Sequence, residues 1–335
     1  DRAGETFPGD QIGHLGQSLI DRVRAHSSEL LCSASVTKAI STVTILNSRG
    51  GSASYRKTHF STFIEGQIVR GTDMLFLWDG KSSCQVITDT REMETSLVEQ
   101  LEQAREIAPA PSGQVPVLFT PRGVVGTLFF PLLTGFNGKT VLEGASPLVG
   151  KLGQRLLDER LSIWDAPTTP YAPGSRICDD EGVPSRMVPL VERGVISSFL
   201  YDLQTAAEAG VQSTGSAHRS IGSLPSPGAS VVTIAGGDTP YREIVAGLDK
   251  GLIVERLLGA GQGNVTGGDF SANVLLGYRV DKGRVVGRVK NTLISGNVYQ
   301  MLKKITAISK ETSWVAGIAR TPAILCQDLS VATKG

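Results

Sequence analysis

The sequence predicts an α+β protein: a small α/β part followed by a mostly antiparallel β domain with long loops. Three observations carry this. Amphipathic helical spacing is concentrated in the first hundred or so residues; β-branched runs bounded by Gly, Pro, Asn and Asp fill most of the rest; and 39 glycines with 16 prolines cut the second part into short pieces. Pro109, Pro111 and Gly113 end the first part, so the domains are expected at 1–110 and 111–335.

Taken in order, residues 1–10 are rich in Gly, Pro and Asp and read as a flexible lead. From Gln11 to Glu29, Ile12, Leu15, Leu19, Ile20 and Val23 recur at helical spacing, which predicts a helix lying on a sheet. Strands are expected at Ala39–Leu46 and Ser52–Val69 around the turn Asn47–Gly51. Two more are expected at Met74–Trp78 and Ser83–Ile87 around a turn at Asp79 and Gly80. Their few long apolar runs imply an antiparallel sheet with one wet face. Asp89–Ala108 is expected as a helix with Met93, Leu97, Leu101 and Ile107 on one side.

The stretch from Gln114 to Gly153 centres the second part. Val115–Phe119 reads as a strand, and the apolar run Val124–Leu133 as a buried helix that Gly135 and Gly138 terminate. Gly138, Lys139 and Thr140 resemble the end of a phosphate-binding loop, but the first glycine that motif needs is Leu133 here. A glycine turn capping the helix accounts for them better. Farther on, short helices are expected at Asp202–Ala209, Tyr241–Ala246 and Asn297–Ile305. Strands are expected at Ser230–Ala235, Gly251–Leu258, either side of Asp281–Gly283 and at Ala323–Leu329, with long loops at Ser213–Pro227 and Gly259–Phe270.

Thirty-three basic against thirty-two acidic residues leave a formal charge of +1, so the chain carries no electrostatic footprint for nucleic acid or an anionic membrane. No apolar run approaches the roughly 20 residues of a membrane span. Cys32, Cys84, Cys178 and Cys326 are scattered, which reads as reduced thiols in a cytoplasmic protein. His14, His26, His59 and His218 have no zinc-ligand spacing. Asp179, Asp180 and Glu181 supply the oxygens a hard cation wants, but adjacent acids in a turn seldom converge, so the turn reads as solvated. His218 beside Arg219 has the chemistry of a base, yet no nucleophile accompanies it locally, and a structural polar contact is the better reading.

Eight segments occur in a family's order: LNSRG at 46–50, QVPVLFTP at 114–121, GASPLVGKLG at 144–153, DDEGVPSR at 179–186, LVERGVISSFLYDLQTA at 190–206, STGSAHR at 213–219, TGGDFS at 266–271 and ISGNVY at 294–299. Over about residues 12–330 the chain thereby resembles the TldD/PmbA family, once labelled modulators of DNA gyrase and now regarded as metallopeptidases. Family members carry a further small α/β domain in front. Since the chain begins after it, and with Asp1 in place of Met, the resemblance implies a truncated start. TldD-type members also carry HExxxH on the helix that here ends at Thr134. Ungapped alignment from Ser146 puts Phe129 and Phe130 at the first His and the Glu, and Thr134 at the second His.

Neither Phe nor Thr supplies a neutral imidazole or a carboxylate, so the resemblance implies a PmbA (TldE)-like member with no catalytic, cofactor or metal residue of its own. Phe129 and Phe130 are expected to fill the vacated space as core. The zinc is then expected in a TldD-type partner, with which this chain encloses a chamber for small unfolded peptides. Thr214, Gly215, His218, Arg219, Gly267 and Asp269 are the expected peptide contacts. Two other readings stand beside this one: a peptidase in its own right with ligands drawn from His218, Cys178, Asp179 and Asp180, and a homodimeric peptide-binding or scaffold protein.

Overall fold

A computed structural model describes residues 1–333. The first part comprises α1 (Arg2–Thr6), α2 (Gly9–Arg24), β1 (Leu31–Leu46), β2 (Ser52–Arg70), β3 (Asp73–Ser83) and α3 (Arg91–Gln103), with the strands forming one antiparallel sheet in the order β1-β2-β3. Leu19 and Val23 of α2 are buried, and Gly16 lies against Val36 of β1. The α-face of α3 buries Met93, Leu97 and Leu101 as expected, but the helix stops at Gln103 and Ile107 is exposed.

Two local expectations are corrected. Residues 1–10 are not a loose lead. Asp1 caps α1 through Ala3 N at 3.1 Å, its ammonium donates to Thr58 Oγ1 at 3.2 Å, and Lys38 Nζ donates to the carbonyls of Glu5 and Phe7 at 2.8 Å each. Nor do Asp79 and Gly80 form a turn. They lie mid-strand in β3, whose register with β2 runs unbroken from Phe60↔Ser83 to Arg70↔Asp73. Gly80 sits opposite Phe63, where a Cβ would come within 3.1 Å of the ring, so the glycine makes room for an aromatic side chain.

The second part begins with β4 (Gly113–Phe119), α4 (Pro121–Phe136) and α5 (Gly138–Leu142), then β5 (Ile163–Asp165), β6 (Val188–Glu192), β7 (Val195–Ile196), α6 (Leu203–Ala209), β8 (Ala217–His218) and β9 (Ser226–Pro227). It continues through β10 (Val232–Ile234), α7 (Tyr241–Ala246), β11 (Lys250–Leu258), β12 (Asp269–Asp281) and β13 (Arg284–Arg288). It ends with β14 (Thr292–Asn297), α8 (Val298–Met301), β15 (Ile305–Val315) and β16 (Ala319–Thr333). Eleven strands form one sheet along β13-β12-β11-β4-β16-β10-β5-β6-β7, with β14 bridging β12 and β16 and β15 pairing with β16. All pairings are antiparallel except β4 with β11 and β10 with β16.

Strand β4 is apolar on both faces because both are covered. Val117 and Phe119 face α4, whose Val124, Leu128, Leu132 and Phe136 join a core with Val254 and Ile324. Leu118 faces the other way, into a core shared with Ile253, Tyr278 and Leu325 of the large sheet and with Leu19, Ile64, Leu77 and Leu97 of the first part. Gly138 does not end α4 in a glycine turn. It opens α5, with Asn137 Oδ1 accepting from Lys139 N and Thr140 N at 2.9 and 3.3 Å, and a Cβ on Gly138 would lie 2.6 Å from Leu200 O.

An ion cluster ties β3 to the large sheet at the start of α4. Arg122 reaches Asp79 Oδ1 at 3.3 Å and Glu255 Oε2 at 3.0 Å, and Thr120 Oγ1 also donates to Glu255 at 3.0 Å. Burial pushes the Asp79 carboxyl above its ordinary value, while Arg122 pulls it back in part. Two carboxylates share one guanidinium, so its loss leaves like charges facing each other. Arg122→Met is expected to cost about 2 kcal/mol in urea unfolding, below the figure for fully buried pairs because water still reaches these side chains. The loss should shrink when Glu255→Gln is added. An unchanged midpoint in the single variant would show that the cluster does not fasten the two layers.

Candidate functional site

Helix α4 is built for close packing. Thr120 caps it through Gly123 N at 3.3 Å with Pro121 in the first turn, and Gly123 lies so near β11 that a Cβ would stand 2.3 Å from Val254 O. Its C-terminal half carries Pro131, which has no N–H to give the preceding turn. Tyr299 of α8 lies across this half, its hydroxyl donating to Pro131 O at 3.1 Å, and Ser146 Oγ donates to Gly135 O at 2.7 Å. Gly135 is required beneath the phenol, because a Cβ would fall 1.9 Å from Tyr299 Oη. Burial pushes the Tyr299 phenol far above its ordinary range, so it remains a neutral donor.

Phe129, Phe130 and Thr134, the positions expected to stand in place of HExxxH, have three different surroundings. Phe129 is buried, as expected, in an apolar crevice of about 10 Å³ with Leu132, Leu133, Phe136, Ile163, Leu190, Val232 and Ile234. So small a void with no polar lining holds no ion and no ordered water. Phe130 does not join the core: it is 62 % exposed, with the backbone of Gly261 beside its ring, because one residue along a helix is a turn of about 100°. Thr134 donates its hydroxyl to Phe130 O at 2.8 Å, back along its own helix. Zinc wants imidazole, thiolate or carboxylate, and none of these three supplies one. Among the described residues no three His, Cys, Asp or Glu side chains converge on one point. The donor set does not fit the ion.

The acidic turn is solvated only in part, at Asp180 and Glu181. Asp179 is wholly buried, and its Oδ1 accepts from Glu181 N at 3.0 Å and Val183 N at 2.9 Å while Oδ2 accepts from Ala217 N at 3.0 Å. Asp180 Oδ2 accepts from Arg219 N at 2.7 Å, and Glu181 Oε2 accepts from Leu203 N, at the start of α6, also at 2.7 Å. The three consecutive acids thus divide their work: Asp179 holds its own turn and Ala217, Asp180 holds Arg219 two residues on, and Glu181 holds the start of α6. Together they form a bracket that fixes the Ser213–Arg219 loop and α6. DDEGVP showed the oxygens, but nothing local showed which way each would turn.

Within that loop, Thr214 and Gly215 are buried. Thr214 Oγ1 accepts from Tyr201 N at 2.7 Å and donates to Ser216 Oγ at 2.8 Å, and Gly215, at φ +70°, lies over Pro184 O. His218 Nε2 stands 3.3 Å from Ser230 Oγ; burial and Arg176 push its pKa down, leaving the imidazole neutral near pH 7. Arg219 is exposed. In the other loop, Asn297 Nδ2 donates to Gly267 O and to Asp269 Oδ1, both at 2.8 Å, and Gly268 lies against the Tyr299 ring. Asn137 Nδ2 donates to Pro227 O at 2.6 Å, so the two candidate loops flank the end of α4, one through Tyr299 and one through the β8–β9 hairpin. Cys178 is buried, and burial raises its thiol pKa, which leaves it a poor nucleophile. Tyr299, the side chain that closes the helix, ends the ISGNVY segment, but nothing in the sequence tied it to α4.

The whole architecture is shared with TldE from Thermococcus kodakarensis, which is 25 % identical and superposes with a TM-score of 0.83, covering 95 % of this chain and 74 % of that one. A Thermotoga maritima protein named for modulation of a DNA gyrase has the same fold at a TM-score of 0.86 and 24 % identity, over 98 % of this chain and 75 % of that one. In sequence, a metalloprotease of Methanothermobacter thermautotrophicus is 28 % identical over 274 residues, covering 79 % of this chain and 59 % of its own length. A TldD metalloprotease homologue of Haemophilus influenzae is 28 % identical over 211 residues, covering 62 % of this chain and 43 % of its own length. The chain therefore spans less than two thirds of these curated relatives. No helix among the described residues is long and apolar enough to cross a membrane. Residues 112–333 match the PmbA/TldA metallopeptidase C-terminal domain, and the chain belongs to the PmbA/TldD family.

Proposed function

We propose that this chain is a non-catalytic, TldE-like subunit of a cytoplasmic TldD/TldE-type zinc peptidase, supporting the processing of small unfolded peptides by a TldD-type partner. The observation that carries this is the filled helix. Phe129 packs into a dry crevice, Phe130 faces out, Thr134 bonds its own backbone, and Tyr299 lies over Pro131 and Gly135. A helix so occupied serves as a wall. The two loops beside it offer backbone and polar groups to an extended chain: Arg219 and Asp269 are exposed, while Thr214, Gly215, His218 and Gly267 hold the loops in shape. Strand addition along such a wall is how an extended peptide gains main-chain hydrogen bonds.

The test is zinc content and cleavage of an unfolded peptide by the purified chain, alone and mixed with a TldD-type protein. The chain alone is expected to bind well under one zinc and to leave the peptide intact, and to raise cleavage by the partner. Stoichiometric zinc with cleavage by the chain alone would establish a peptidase with ligands outside α4, and no effect on the partner would remove the subunit role.

A further inference from the structure

Where the first part meets β13 the surface opens into a cleft of about 450 Å³, lined by the turn Ala25–Glu29, the adjoining ends of β2 and β3, the C-terminal end of α3 and Arg288. None of these residues belongs to α4 or to the two loops beside it. The apolar lining, Ile68, Leu75, Leu101 and Ala104, is buried. Arg288 is only 7 % exposed, and among the described residues its Nη2 alone donates, to Asp73 Oδ2, while Nε is buried without a partner. A guanidinium carries five N–H donors, and leaving buried ones unmatched is costly.

The charges around the cleft do not cancel. Asp73 is shared, since Lys290 Nζ stands 2.9 Å from its Oδ1. Arg70 is matched by Glu29 at 2.5 Å and Arg105 by Glu102 at 2.8 Å. Glu94, 3.6 Å from His26, is matched by Arg22 at 2.7 Å. Arg70, Arg105, Arg288 and Lys290 thus face Glu29, Asp73 and Glu102, which leaves one positive charge over. Nor do the helix ends supply acceptors. Asp21 O and Val23 O of α2 are taken by Ala25 N and His26 N, and Gln100 O and Glu102 O of α3 by Ala104 N and Arg105 N.

We propose that this cleft binds a small monoanionic carboxylate with an apolar side chain, the carboxylate on Arg288 and the side chain against Ile68, Leu75 and Leu101. Size, lining and charge each select this class. The volume is that of a small-molecule site, and apolar walls with a few placed polar groups are the usual make-up of one. The buried guanidinium lacks an acceptor, and a carboxylate provides one through a charge-assisted hydrogen bond. One surplus positive charge matches one carboxylate, whereas a phosphate group brings about two negative charges and offers the apolar wall nothing. The inference uses neither α4 nor a TldD-type protein, so it stands or falls apart from the subunit reading.

Titration of N-acetyl-leucine and N-acetyl-phenylalanine into the full chain, followed by methyl NMR, tests it. At least one is expected to bind with a Kd below about 1 mM and to shift the methyl signals of Ile68, Leu75 and Leu101. The corresponding N-acetyl amide, alike in shape but uncharged, is expected to bind at least tenfold more weakly, and so is inorganic phosphate. Arg288→Met is expected to bring the acid down to the level of the amide. Should that variant fail to fold, the methyl shifts and the ratio of acid to amide affinity in the wild type decide. No saturable binding of either acid up to about 10 mM overturns the proposal. So do shifts confined to other methyl groups, an amide or phosphate that binds as tightly as the acid, or a folded Arg288→Met variant with wild-type affinity.

Discussion

Replacing Asp179 with alanine is expected to lower stability by about 4 kcal/mol, because one buried and two part-buried N–H groups lose their acceptor together. The donors are Glu181 N, Val183 N and Ala217 N, and the carboxylate that serves them is shielded from water altogether. Each orphaned donor costs about 1–3 kcal/mol, and the three are not independent, which holds the total below their sum. Asp179→Asn keeps one oxygen, enough for two of the donors, but turns an amide toward the third. It is expected to lose about half as much. Urea unfolding followed by circular dichroism separates the two variants, and equal losses would mean that the charge and not the acceptor geometry matters. The same substitution should loosen the Ser213–Arg219 loop, visible as faster amide exchange at Ala217.

Gly135→Ala is expected to cost about 3 kcal/mol, even though alanine is favoured over glycine within a helix by roughly 1 kcal/mol. The added methyl would overlap the Tyr299 hydroxyl, which cannot withdraw: the ring is buried, bonded to Pro131 O and backed by Gly268. Tyr299→Phe removes the oxygen at the point of overlap and forfeits one hydrogen bond, about 1 kcal/mol alone. In the double variant the two changes compensate, so it should be more stable than Gly135→Ala by 1 kcal/mol or more. Strict additivity would place the strain elsewhere than between these two residues.

How much of this was legible in the sequence differs by element. The β4–α4 unit could be read directly, since Val115–Phe119 and Val124–Leu133 are nearly all apolar, as a covered strand and a largely buried helix require. The signal failed where glycine served packing instead of turning. Gly80 faces Phe63 within a strand and Gly138 makes room for Leu200 and Tyr201 at a helix start, and both had looked like breaks. Asn297–Ile305 had suggested a helix, whereas the helix occupies only Val298–Met301 and the chain then enters β15, a strand whose pairing with β16 is set across the sheet and not along the sequence. The expectation that α4 carries no metal ligands came from residue types once the family order was recognised. The surroundings of those positions did not, because Phe130 turning outward and Tyr299 arriving from α8 depend on contacts more than 100 residues apart.

Strand β16 has a consequence for how the molecule comes into being. It pairs with β4, β10, β14 and β15, so four strands spread over two hundred residues wait for a neighbour near the end of the described chain. During synthesis the earlier strands leave the ribosome with an open seam through the middle of their sheet, and only the arrival of Ala319–Thr333 closes it. Such late, long-range closure makes for slow folding and a long window in which unpaired edges are exposed. Until Ala319–Thr333 is made, the edges of β4, β10, β14 and β15 that it pairs with stay open to aggregation.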